Sequence, residues 1–286
     1  MNTWYFYSLM ALILLGTQRF LYKVTAERGY SSGLTTAVFM ATVCVLSTAV
    51  YVATGATTVN YSVLIVLALA NSCAFAITTV SNIEALRHLP TSITFPLTRL
   101  SLVVVILVSV VYFGEQLSNQ QWFGILLGFA VVFLMAKEVK QDTTPQGNSR
   151  YGLFFVGVCI LCGAIASISS KLAAVSTNTA GFMAVTYLFA TIFSLLINKK
   201  WPGKNPTSGK KGTILIGILM GILNFFGFYA FLTALASGPL SSIALITSMH
   251  FIIAIILSVV IYHEKITLRR GAALALTLLA VFLMKA

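Results

Sequence analysis

The stretch from Pro90 to Glu115, PTSITFPLTRLSLVVVILVSVVYFGE, occurs twice, and this constrains the fold more than any other feature. Residues 239 to 264 read PLSSIALITSMHFIIAIILSVVIYHE, with proline and glutamate at the two ends and Ser92/Ser241, Thr98/Thr247 and Ser109/Ser258 in step. The register extends outwards at the same offset of 149 positions. Ala85-Leu86 recurs as Ala234-Leu235, and Val132-Phe133-Leu134-Met135 as Val281-Phe282-Leu283-Met284. A gapless offset sustained this far marks two homologous halves.

Both copies are apolar runs, and so is most of the chain. Apolar residues make up 58% and charged residues 8%, where a soluble globular domain carries about 25% charged. The expectation is an all-α integral membrane protein, since a bilayer core demands helices of about 20 residues. Ten spans fit, at roughly 4–22, 33–53, 61–83, 91–112, 120–137, 151–171, 180–198, 212–236, 241–262 and 269–285. The polar segment KEVKQDTTPQGNSR after span 5 holds Pro145 and Gly147 and reads as a linker. The division is therefore 1–140 for the first repeat, 141–150 for the linker and 151–286 for the second. Five spans per half force the second copy to enter the membrane the other way up, an inverted repeat of the kind transporters use for alternating access.

The net charge of +12 belongs to this topology and not to nucleic acid. Fourteen lysines and arginines, among them Lys23, Arg28, Arg87, Arg150 and Lys199, flank the loops after odd-numbered spans; only Lys171 and Lys285 flank the other side. The positive-inside rule then places both termini outside the cytoplasm of a multi-pass protein of the plasma (inner) membrane. The first span has no basic leader or small-residue cleavage site, so it reads as retained. Cys44, Cys73, Cys159 and Cys162 all lie in apolar runs. The Cys159-x-x-Cys162 pair lacks the second ligand pair that a zinc site needs, so all four read as packing residues.

Ser118 and Thr267 stand where a hydroxyl caps the starts of spans 5 and 10, and Pro90 and Pro239 stand in the first turns of spans 4 and 9. The pairs Gly124/Gly128 and Gly217/Gly221 suit close helix packing or a dimer face.

An ionisable side chain at membrane depth costs about 2.5 to 3.5 kcal/mol on insertion scales and needs a partner or a function. Arg99, some nine residues into span 4, is the most informative such residue. Glu84 near the end of span 3 and Arg19 and Lys23 near the end of span 1 approach the same half of the membrane. Two readings stay open. Arg99 and Arg19 hold the carboxylate or phosphate of a substrate with the guanidinium fork, or Arg99 and Glu84 form a permanent ion pair between helices. The repeat-equivalent positions carry Ser248 and Thr233, so the architecture does not require the pair twice. His250, equivalent to Ser101, sits at midplane depth as a substrate ligand, a proton relay or a hydrogen-bonded core residue. Asn71, Phe75, Thr78 and Asn82 share one face of span 3, and Asn224 lies beside Phe228 in span 8; these suit a cavity wall, or interhelical hydrogen bonds. Glu115 and Glu264 close the repeated stretch and read as folding or gating residues. No carboxylate cluster suggests a metal site, and no cofactor is expected.

The pattern resembles the EamA-type carriers of the drug/metabolite transporter superfamily. The segment YFGEQLSNQQWFG at 112–124 is similar to that family's Gly-Glu-x-Leu-Thr-x-x-Gln-x-x-Gly signature, with Ser118 for threonine and Gln121 and Gly124 in place. In the second copy His263 replaces the glycine and Arg270 the glutamine. Lys23 and Lys171 fall where the family often carries lysine. The resemblance implies export or exchange of small metabolites through a central cavity lined by helices 1, 3, 4, 6, 8 and 9. It also implies cytoplasmic termini, against the charge distribution, which is followed here.

The reading is a secondary transporter of small polar metabolites, amino acids or other carboxylate-bearing compounds, working by rocking of its halves. Its partners are the substrate, the lipid bilayer and protons or a counter-substrate; a monomer and a homodimer both fit. A translocator or scramblase of lipids or lipid-linked metabolites is the alternative. An intramembrane enzyme ranks lower, because no nucleophile–base pair or set of acidic ligands sits at membrane depth.

Overall fold

The structure, a computed structural model, describes residues 3–28, 30–55, 60–88, 97–136, 149–200, 209–262 and 268–284. Eleven helices occupy them: α1 (Thr3–Glu27), α2 (Ser32–Thr54), α3 (Tyr61–His88), α4 (Ser101–Tyr112), α5 (Asn119–Ala136), α6 (Ser149–Ser176), α7 (Thr179–Lys200), α8 (Lys210–Ser237), α9 (Leu240–Ser248), α10 (Phe251–Tyr262) and α11 (Leu268–Leu283). Among the described residues six segments are long and apolar enough to cross a bilayer: Gly33–Thr54, Tyr61–Thr78, Arg150–Ser176, Thr179–Leu196, Lys210–Ser237 and Leu240–Ile261, with Ser101–Tyr112 and Gly271–Leu283 as shorter apolar helices. The chain is a multi-pass membrane protein. Exposed Val52, Val66, Val111, Phe123, Phe154 and Leu215 give the bundle an apolar exterior, the surface lipid tails require. The linker at 137–148, the start of span 4 with Pro90 and Ser92, and His263, Glu264 and Thr267 lie outside the described residues.

Local chemistry sets several helix ends. The Ser118 hydroxyl accepts from the Gln121 amide at 3.2 Å while the Gln121 side-chain oxygen accepts from the Ser118 amide at 3.0 Å, a reciprocal capping box. Ser31 caps α2 through the Leu34 amide, and Gly55 ends that helix in the left-handed region at φ 57°.

The main packings occur in pairs that the 149-residue offset exchanges. The pairing of α3 with α6 matches that of α1 with α8; α2 with α8 matches α7 with α3; α1 with α10 matches α6 with α4. The pairs α2–α7 and α5–α11 map onto themselves. This is the contact pattern of a two-repeat layout in which the repeats interdigitate, since nearly all close neighbours come from opposite repeats. Glycines permit the closest approaches. A Cβ at Gly221 would lie 2.5 Å from the Thr42 side chain, one at Gly217 2.8 Å from Val38, one at Gly128 2.8 Å from Met249 and one at Gly124 2.7 Å from Met284. Both GxxxG faces are thus filled from within the chain, which removes them as a dimer interface. The cysteines behave as packing residues: all four are free, and the Cys159 thiol meets the Thr78 carbonyl at 3.5 Å between α6 and α3.

The sequence reading of spans 4 and 9 as unbroken helices needs correction. Span 9 divides at Met249–His250 into α9 and α10, and α4 is preceded by a turn at Arg99–Leu100. Allowing for the repeat, the two interruptions fall within one residue of each other. Each is bridged by bonds three residues apart, Leu100 to Leu97 and Leu102 to Arg99 in one copy, Met249 to Ile246, His250 to Thr247 and Ile252 to Met249 in the other. Such a tight turn inside a helix often marks a hinge or a site. α9 itself is buried on every face, Leu240 through Thr247 without exception, among α1, α4, α5, α6 and α8.

Candidate functional site

A cavity of about 170 Å³ lies beside the break in span 9. α1 contributes Leu15, Gln18, Arg19 and Tyr22; α2 contributes Phe39 and Met40; α3 contributes Asn71, Ser72 and Phe75; α7 contributes Thr186, Tyr187 and Ala190; α8 contributes Asn224 and Phe228; the α9–α10 break contributes His250. The volume is below the roughly 300 to 1,000 Å³ of sites for drug-sized ligands and suits a small metabolite.

Positive charge gathers at one end. The Arg19 guanidinium lies 5.6 Å above the Tyr22 ring and is exposed, an arrangement that stabilises a cation through the ring quadrupole. Arg99, at the turn before α4, is close enough to Arg19 for the two charges to repel, and both act on the His250 ring. The ring's Nδ1 sits 2.6 Å from the Thr247 carbonyl oxygen. A carbonyl only accepts, so Nδ1 carries a proton and Nε2 remains for another partner. A glycine makes this placement possible. At Gly16 on α1 a Cβ would lie 2.6 Å from the His250 carbonyl oxygen and 2.5 Å from Ile253, so α1 reaches the break only without a side chain there.

A hydrogen-bonded chain through three helices runs along the cavity from Tyr22 beside Arg19. The Tyr187 hydroxyl donates to the Asn224 side-chain oxygen. The Asn224 amide donates to Gln18 Oε1 at 3.2 Å, and Gln18 Nε2 donates to the Tyr22 hydroxyl at 3.4 Å. Asn71 points its amide at α6, to the Ala166 carbonyl at 2.7 Å and the Ser169 and Ser170 hydroxyls at 3.0 and 2.9 Å. Rings fill the rest: Tyr187 stands edge-on to Phe39 at 6.3 Å and to Phe228 at 5.9 Å.

Of the residues singled out from sequence, Arg19, Asn71, Phe75, Asn224 and His250 come together around this cavity. Arg99 lies within electrostatic reach of it without lining it. The side chains of Lys23, Asn82 and Glu84 lie outside the described residues, so the Glu84 ion pair stays an expectation. Asn224 uses both ends of its amide on neighbouring side chains and Asn71 ties α3 to α6, so both hold the wall together. Gln18, Tyr22 and Tyr187 were missed. Gln18 could have been found beside Arg19, whereas Phe39 and Met40 of α2 sit in a run with no polar signal. Among the described residues helices 2 and 7 line the cavity where the resemblance implied helices 4 and 6; helix 6 instead braces Asn71 from behind.

The family model for the EamA-like transporter family matches residues 2–137 and again 150–286. The chain belongs to the EamA-like transporter family. The two matches cover the two repeats and leave out the polar linker between them. No curated protein matches the chain. A solved structure titled "Crystal structure of protein" is similar at 17% identity, with a TM-score of 0.81 over 99% of this chain and 96% of its own; that likeness concerns the fold alone. As an EamA-family chain with this cavity at its broken helix, the protein is a membrane transporter of the drug/metabolite type.

Proposed function

We propose that this EamA-family protein is a secondary transporter, an exporter or exchanger, of small carboxylate-bearing metabolites such as amino acids. The observation that carries the reading is the presence of Arg19 and His250 in the lining of a small cavity, with Arg99 within electrostatic reach of both. Like charges near one another repel, and an anion between the two guanidinium groups would relieve that repulsion while satisfying their donors. The aromatic and amide groups of the lining suit the apolar or neutral remainder of the substrate.

The ten-span, inverted arrangement supports alternating access, with the site at the level of the broken helices. The interdigitation of the repeats favours hinging at the breaks in spans 4 and 9 over the rocking of two separate bodies. In this reading the membrane is the plasma membrane, and the lysine and arginine distribution supports extracytoplasmic termini.

Uptake by reconstituted Arg99→Ala protein tests the assignment. The expected result is at least a tenfold loss of carboxylate uptake, the scale of one charge-assisted hydrogen bond, with the melting temperature little changed. Retained uptake and affinity with a lowered melting temperature would make Arg99 a structural residue.

A further inference from the structure

One end of the bundle is tied by a set of contacts that the cavity does not use. Just beyond α4, Gly114 with a φ of 65° turns the chain back and brings the Glu115 amide to the Ser109 carbonyl at 3.2 Å. The turn delivers the Glu115 carboxylate to the start of α9. It accepts from the Leu240 amide, from the Ser241 amide at 3.2 Å and from the Ser241 hydroxyl at 2.6 Å. The Ser109 hydroxyl accepts from the same Ser241 amide at 3.2 Å. A carboxylate on the free amides of a helix start is favoured by hydrogen bonding and by the helix dipole together.

The preceding helix is held at its other pole. Lys171 of α6 donates to the Leu235 and Gly238 carbonyls at the end of α8, at 2.6 and 2.7 Å, and its ammonium lies 5.9 Å from the Phe113 ring. Trp4 of α1 covers Gly238, where a Cβ would fall 2.5 Å from its ring. A carboxylate from the first repeat and a lysine from the second thus clamp the α8–α9 corner by both poles. At this corner Leu235 at the end of α8 and Leu240 and Ile243 in the first turns of α9 have no exposed surface. The sequence bears on the choice of residues. Pro239, Ser241, Ser109 and Glu115 are among the few positions identical in the two halves, whereas the positions of Arg99 and His250 differ.

We infer that the clamp of Glu115 on the start of α9, with Lys171 on the end of α8, is the latch that closes the cavity on the face bearing the N-terminal end of α1. This rests on the carrier reading above, in which the site opens alternately to the two sides. Opening that face moves the start of α9 away from the end of α4, so the Glu115 bonds break in every cycle. Their strength sets the balance between the two states.

The test is labelling by a membrane-impermeant maleimide from that face, in proteoliposomes. The protein carries Ile243→Cys as reporter and serine at the four native cysteines. In the parent the reporter is shielded. Glu115→Ala should raise the labelling rate about tenfold, as expected for loss of charge-assisted hydrogen bonds, and Glu115→Gln, which keeps one acceptor, should fall between. Equal rates in Glu115→Ala and parent, both monodisperse, would overturn the latch. So would failure of both Glu115 variants to give monodisperse protein, since the clamp would then be a structural staple. Counterflow by the parent is measured separately: if labelling responds while counterflow is absent, the latch stands and the carrier reading falls.

Discussion

At the scale of single residues, the proposed function separates groups expected to face substrate from groups that hold the wall. Asn224 belongs to the second class, because Tyr187 and Gln18 occupy both ends of its amide. Asn224→Ala leaves two buried partners unsatisfied and should cost about 1 to 2 kcal/mol, given the modest worth of interhelical hydrogen bonds in membranes. Thermal unfolding in detergent is the check, and a variant as stable as the parent would remove the hydrogen-bonded chain from the account. Arg19 belongs to the first class. Arg19→Ala should impair carboxylate uptake and spare stability, since the residue is exposed and its described contact is with Tyr22. Sequence alone exposed the charged and amide members because charge at membrane depth is expensive and therefore conspicuous. It did not expose Phe39 or Met40, which differ in no visible way from lipid-facing neighbours, nor Tyr187, whose hydroxyl matters only once Asn224 is beside it.

At the scale of elements, the interruption of the fourth helix in each repeat shapes the site. Both copies of the stretch read as continuous apolar runs, and nothing in their periodicity announces a break. The signal was polar punctuation, Thr98-Arg99 in one copy and Thr247-Ser248 with His250 in the other, whose meaning depends on which helix packs against it. Gly16 of α1 supplies that contact in the second repeat. Gly16→Ala would force a methyl against the His250 carbonyl and Ile253, an overpacking that costs about 1 to 3 kcal/mol. Stability and uptake should fall together in this variant, unlike Arg19→Ala. An unperturbed Gly16→Ala protein would mean that α1 and the break do not touch as described. The capping box at Ser118 and Gln121 was legible because its partners lie three residues apart in sequence. The clamp at Glu115 was not, because its partners are 125 and 126 residues away.

At the scale of the whole molecule, the repeat made the layout readable, and the family match over both halves agrees with it. The offset could not show that the repeats interdigitate, which follows from the pairing of α1 with α8 and of α3 with α6. Among the described residues most close helix pairs join opposite repeats, so separately expressed halves should fail to fold alone and should recover activity only when co-expressed. Orientation is the second prediction at this scale. A reporter active only outside the cytoplasm should be active when fused to the C-terminus, and a cytoplasmic signal would reverse the orientation and the direction of flux. The central claim is anion selectivity, set by Arg19 and His250 in the lining of a small cavity and by Arg99 within electrostatic reach of them. Its most direct test is uptake by the reconstituted protein of three compounds of equal size, a carboxylate, its amide and a corresponding amine. The account predicts that the carboxylate is carried well above the other two; preferred uptake of the amine, with the carboxylate excluded, would contradict it.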